Sequence, residues 1–263
     1  MRRARPDAAT AVLVTLAIGG AAFFVLPLFA LIVRAPWSTA IGELSAPGVA
    51  GALRLSLVCS IAAAALSALL GVPLAWVYAR VPFPGKTVVR ALTTLPMVLP
   101  PVVGGIALLV AFGRRGVFGE ALDAVGVRLP FTTAAVIVAE TFVAMPFLVI
   151  SVEAAFRSMD RRYEDAARTL GASRGHVLRT VTLPLVAPAL GAGLVLAWAR
   201  ALGEFGATIT FAGNFPGTTQ TMPLAAYLAL ETNIDTAVLL GLALLAVSLV
   251  VLIALRDRFL SLA

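Results

Sequence analysis

Six runs of this chain, at approximately 10–33, 53–78, 88–112, 132–155, 185–211 and 236–255, are apolar over about twenty residues or more, each bounded by Pro, Gly or charge. Coiled as a helix rising about 1.5 Å per residue, a run of that length matches the hydrocarbon thickness of a bilayer. Lipid offers no hydrogen-bond partner to the backbone, so a run this long must satisfy its N–H and C=O groups internally as an α-helix. The sequence therefore predicts an all-α integral membrane protein, one domain over 1–263 with six transmembrane helices. Hydrophobic residues at 60%, charged residues at 13% and a mean hydropathy of +1.01 exclude a water-soluble domain.

The charges sort by side. Fourteen basic residues fall on one side: Arg2, Arg3 and Arg5; Arg80, Lys86 and Arg90; Arg157, Arg161, Arg162, Arg168, Arg174 and Arg179; and Arg256 and Arg258. Only Arg34, Arg54, Arg114, Arg115 and Arg128 fall on the other. The positive-inside rule then places both termini and the loop 156–183 in the cytoplasm. The basic N-terminus resembles the start of a signal peptide, but the run after it exceeds twenty residues and lacks a convincing small-residue cleavage site, so it reads as an uncleaved first span. A net charge of +7 does not point to nucleic acid, because the basic residues cap apolar runs instead of forming a stripe.

Several chemistries are excluded directly. The single Cys59 allows no intrachain disulfide or thiolate cluster, and the single His176 allows no histidine metal site. Gly85-Lys86-Thr87 ends like a phosphate-binding loop, but Arg80 stands where the first glycine belongs, and Pro82 and Pro84 remove backbone donors. The chain is not expected to hydrolyse ATP itself, nor to hold a cofactor or metal.

The loop 156–183 is the polar exception in an apolar chain. Asp160 can cap a helix whose first turn holds Glu164 and Asp165, favoured there by the helix dipole, and Gly171 supplies a left-handed stop. Tyr163, Ala166, Ala167 and Leu170 recur at helical spacing, giving one apolar face with small residues at its centre where a partner can approach closely. Ser173 can cap a second short helix carrying Val177, Leu178 and Val181, after which Leu183-Pro184 opens the next span. An ordinary amphipathic surface helix is the plainer alternative.

Three further segments carry information. The third span opens with Pro96, Pro100, Pro101, Gly104 and Gly105, a pattern that in lipid makes kinks and close backbone approaches, either as a bent structural helix or beside a passage. The fifth holds Arg200 and Glu204 at i, i+4, followed by Thr208; an ion pair deep in a membrane is expensive, so it either locks the helix to its neighbours, the favoured reading, or touches substrate. Glu140, in the fourth span, can join that network. Beyond the fifth span, 211–227 is a hydroxyl-rich outward loop whose Asn214 and Pro216-Gly217 are turn formers, and whose Asn214, Thr219, Gln220 and Thr221 could face an external binding protein.

Asp165-Ala166-Ala167, three residues, Gly171, nine residues and Val181-x-Leu183-Pro184 resembles the EAA loop of ABC-importer permeases, with Asp165 where Glu is usual. The runs Leu95–Pro101, Phe112–Gly116, Arg200–Ala207 and Ala212–Ala225 look like the membrane subunit of molybdate ABC transporters, in family order. Relatives that carry sulfate or thiosulfate share the Glu-Phe-Gly-Ala element but usually differ in the loop after it. The resemblance implies a type I importer permease fold with N-in/C-in topology in the cytoplasmic membrane. It further implies a homodimer with two cytoplasmic ATPase subunits, which bind ATP and Mg, and an extracytoplasmic molybdate-binding protein. Asp165, Ala166, Ala167, Gly171, Leu183 and Pro184 would couple to the ATPase. Tungstate is not separable from molybdate on these grounds, and an ion-coupled secondary transporter using Glu140 and Glu204 is the alternative from another class.

Overall fold

A computed structural model describes residues 8–260; the basic N-terminal residues Arg2, Arg3 and Arg5 lie outside the described residues. Every regular element among them is helical. Five helices are long and apolar enough to cross a membrane, and six when one sharply bent pair is taken as a broken span. This is a multi-pass membrane protein of all-α class, as expected. Its boundaries differ from the apolar runs where backbone chemistry intervenes.

The chain opens with α1 (Ala8–Arg34), a short α2 (Ala40–Ser45) and the long α3 (Pro47–Arg80), which starts six residues before the expected run because Pro47 is well placed in a first turn. The third run is not one straight span. It divides into α4 (Lys86–Thr94), a 3₁₀ turn Leu95–Met97 and α5 (Pro101–Phe112), with a bend of 119° between the two arms. Pro96, Pro100 and Pro101 remove the N–H groups that would carry the ladder through, so the helix ends and restarts. After α6 (Gly119–Ala124), α7 (Thr133–Ser158) begins at a Thr132 cap, its hydroxyl accepting from the Ala135 N–H at 3.2 Å.

The polar loop forms α8 (Arg162–Thr169) and α9 (Arg174–Val177). A wide turn, Leu178–Thr182, joins α9 to α10 (Leu183–Leu202) without a break, so the second short helix and the fifth span are one rod instead of two elements. Pro184 has no N–H for the carbonyl four residues back, and the widened turn accommodates that loss. The expected span 185–211 in turn ends early: α10 stops at Leu202, and α11 (Gly206–Phe211) follows as a separate piece. The chain closes with α12 (Met222–Thr232) and α13 (Ile234–Leu260).

The central core is the α3–α7–α10 bundle, where Tyr78, Leu148, Val152, Phe156 and Ala197 are fully or almost fully buried. A second core joins α3, α5, α7 and α11 around Cys59, Leu108, Val136, Val143 and Phe211. Around these, large apolar side chains stay on the surface; Leu13, Leu16 and Phe23 of α1 are each more than 60% exposed. Such a surface is untenable in water and ordinary against lipid tails or a second apolar chain.

Candidate functional site

The α8 helix is built to be touched. Ser173 caps α9 as expected, accepting the His176 N–H at 3.3 Å; α8 starts instead from Arg161, and Asp160, one residue earlier, accepts the Arg162 N–H at 2.9 Å. Gly171 turns the chain at φ +87°; a Cβ there would meet nothing within 4 Å, so the glycine answers a conformational need and not a spatial one. Tyr163 and Leu170 are 59% and 89% exposed, Ala166 is exposed and Ala167 half-buried. Asp165 is exposed and pairs with Arg168 at 3.6 Å. Leu183 is half-buried and Pro184 exposed at the start of α10.

What holds this helix against the membrane part was not read from the sequence. Glu164, next to Asp165 and turned inward, is buried, accepts the Thr182 hydroxyl at 2.7 Å and lies 3.5 Å from the Arg80 guanidinium. It ties α8 to the end of α3 and the turn before α10. A second buried carboxylate, Glu153 of α7, meets Arg90 of α4 at 3.0 Å and Arg157 at 2.8 Å. The i, i+4 spacing of Glu153 and Arg157 was visible; the long-range partners were not.

The expected Arg200–Glu204 pair forms at 2.6 Å, with Glu204 fully buried and Arg200 28% exposed. Its geometry adds a role. The other Glu204 oxygen accepts the Ala207 N–H at 2.8 Å, capping α11 across the break that follows Leu202. One carboxylate thus fastens two helix ends. Glu140 does not join the pair: it is buried in α7, its Oε2 has no hydrogen-bond partner, and it lies within electrostatic reach of Glu204.

Pro100 and Pro101 are exposed at the α5 N-terminus, but Gly104, Gly105 and Thr208 are buried. Within the chain all three lie inside the helix packing, the two glycines close against neighbouring helices. A Cβ on Gly105 would lie 2.7 Å from Thr210 Cβ and 2.8 Å from the Ala207 carbonyl oxygen, and one on Gly206 would lie 2.8 Å from Pro101 Cβ. α5 and α11 therefore touch backbone to backbone through two glycines.

The hydroxyl-rich loop 211–227 is also sorted by burial. Thr219 and Thr221 are buried instead of facing a partner; the Thr219 hydroxyl accepts the Phe215 N–H at 2.9 Å and folds the loop on itself. Asn214 and Gln220 are half-buried, and Phe215, Pro216, Gly217 and Thr218 form the exposed tip. Thr133 donates to the Thr218 carbonyl at 2.8 Å, and the Met222 N–H donates to Ser56 Oγ at 2.7 Å, anchoring both ends of the loop. On the turn between α6 and α7, Arg128 pairs with Asp123, holding that exposed carboxyl below its usual range by hydrogen bond and charge.

An exposed helix turned by a left-handed glycine between two spans is the arrangement to compare with known proteins. The family of binding-protein-dependent transport system inner membrane components matches residues 67–261. This chain belongs to that family. Among curated relatives, the molybdenum transport system permease protein ModB of Mycobacterium tuberculosis is 48% identical over 244 residues, 92% of each chain. The sulfate transport system permease protein CysT of Salmonella typhimurium is 34% identical over 257 residues, 93% of each. The fold resembles that in a crystal structure of a bacterial ABC transporter involved in alginate import, with TM-score 0.73, 22% identity, 94% of this chain and 93% of that one covered. The chain is thus a permease subunit with the ABC-importer membrane fold.

Proposed function

We propose that this permease carries molybdate across the cytoplasmic membrane as a homodimer, powered by two cytoplasmic ATPase subunits and supplied by an extracytoplasmic binding protein. The observation that carries the substrate is the gradient of likeness: 48% identity with a molybdenum permease against 34% with a sulfate permease, both over more than nine-tenths of the chain. Tungstate, with nearly the same size and charge, enters by the same reading.

The site geometry supports a division of labour. The exposed face of α8, with Ala166 and Ala167 between Tyr163 and Leu170, fits a groove on an ATPase, with Gly171 fixing its angle to α9. Glu164, held by Thr182 and Arg80, couples that helix to α3 and α10, so displacement of α8 reaches two spans directly. Closure of the ATPase pair on ATP moves the two coupling helices as levers and opens the passage outward; hydrolysis returns it. Arg200, which could trap a doubly charged anion, is engaged by Glu204 at 2.6 Å, so strong recognition is left to the binding protein.

Reconstitution of the permease and ATPase in liposomes with molybdate-loaded binding protein tests this reading. Uptake that requires ATP and the binding protein is expected. Uptake that persists without ATP and follows a proton gradient would favour the secondary-transporter alternative, and tight molybdate binding by the permease alone would overturn the delegation of recognition.

A further inference from the structure

Beneath α8, on the face turned from the proposed ATPase, lies a cavity of about 810 Å³. Its polar end is lined by Arg80, Arg161, Arg168 and Arg174, and its other wall by Val72, Pro73, Trp76 and Leu183. Two carboxylates also line it, and both are engaged: Glu164 with Arg80 and Thr182, Asp165 with Arg168 at 3.6 Å. Arg161 and Arg174 make no ion pair among the described residues, leaving an excess of two positive charges. The Arg80 side chain is only 10% exposed; its Nη2 faces Glu164 at 3.5 Å, while its Nε has no hydrogen-bond partner, which is costly for a buried guanidinium unless a further anion completes the set.

We propose that this cavity binds the phosphate headgroup of an acidic phospholipid of the cytoplasmic leaflet. The inference rests on the cytoplasmic placement of the loop 156–183 made above. Arginine forks match phosphate oxygens in geometry as well as charge. The apolar wall continues onto surfaces that stay exposed, with Leu69 at 69%, Leu70 at 53% and Leu185 at 49%, so acyl chains can leave along α3 and α10. Trp76, 40% exposed at the cytoplasmic end of α3, stands at the headgroup level that aromatic side chains favour. A small free oxyanion satisfies the arginines but leaves the apolar wall unused. A bound lipid would brace α8 against α3, so the composition of the leaflet would set how firmly the coupling helix is held.

Native mass spectrometry of the complete transporter, permease with its ATPase subunits, tests the proposal. The complex is exchanged from phosphatidylcholine into mixtures containing phosphatidylglycerol, and separately exposed to inorganic phosphate without acidic lipid. Wild type is expected to retain one phosphatidylglycerol per permease chain. The double variant Arg161→Gln/Arg174→Gln should weaken this retention roughly thirtyfold, the effect of two basic side chains near an anionic headgroup. Arg161→Lys/Arg174→Lys, which keeps the charge, should recover most of it, separating loss of the site from loss of fold. Equal retention by wild type and the Gln variant would overturn the proposal, as would retention of inorganic phosphate with no preference for the acidic lipid. The readout needs no transport, so it fails or succeeds independently of the molybdate assignment.

Discussion

Replacing Gly105 by Ala probes the contact on which the broken helices depend. The new Cβ would sit 2.7 Å from Thr210 Cβ, 2.8 Å from the Ala207 oxygen and 3.0 Å from Ala207 Cα, whereas ordinary contact begins near 3.4 Å. Two of these three neighbours are backbone atoms and cannot rotate away, so α5 must retreat from α11 by about 0.7 Å, the shortfall at Thr210. That retreat also opens the reciprocal contact of Gly206 with Pro101. Overpacking of this kind costs about 1–3 kcal/mol. At about 2–4 °C per kcal/mol for a chain of roughly this size, thermal unfolding of the purified transporter should fall by around 5 °C. Gly19→Ala in α1, where a Cβ meets nothing within 4 Å, is the control. It should hold or raise stability, since alanine favours a helix over glycine by about 0.5–1 kcal/mol. If Gly105→Ala proves as stable as that control, α5 and α11 do not touch as described.

Three other substitutions bear on the site. Glu204→Gln keeps an oxygen for the Ala207 N–H but removes the charge facing Arg200; with Arg200 28% exposed, the loss is about 2–3 kcal/mol, and folded protein and transport should fall together. Normal expression with altered anion selectivity would instead make the pair a substrate contact. Gly171→Leu forces a side chain to φ +87°, costing about 1–2 kcal/mol locally, and should uncouple ATP hydrolysis from uptake or abolish assembly; coupled transport at the wild-type ratio would remove this turn from the lever. Glu153→Gln removes the charge shared by Arg90 and Arg157, so hydrogen exchange in Lys86–Thr94 should accelerate relative to the α7 core; unchanged exchange would show that this pair does not hold α4.

Much of the architecture was legible because membrane spans follow from apolar length alone. The cap at Ser173, the stop at Gly171 and the Arg200–Glu204 pair are local patterns, each set within a few residues, and the structure has all three; the start of α8 falls at Arg161, one residue past the expected cap Asp160. What escaped depends on contacts distant in sequence. Glu164 looked like a helix-dipole residue; only the fold brings Arg80 and Thr182 to it. Pro96, Pro100 and Pro101 announced a bend but not its 119° size, and the break at Gly203 lay inside a continuous apolar run, because hydropathy does not register where a helix loses its ladder. Thr219 and Thr221 read as surface hydroxyls by type, yet both are buried, Thr219 to satisfy the Phe215 N–H of its own loop. Gly104 and Gly105 lie close to Phe142, Ala207 and Thr210, neighbours on helices that the sequence does not show to be adjacent.

The most direct test of the central claim is cellular molybdenum content, measured by mass spectrometry in a strain lacking this chain and grown at nanomolar molybdate, with and without excess sulfate. The account predicts a deficit that the wild-type chain restores and that sulfate leaves unchanged. No deficit, or a rescue that sulfate abolishes, would contradict molybdate as the cargo and leave a permease of the sulfate-carrying kind.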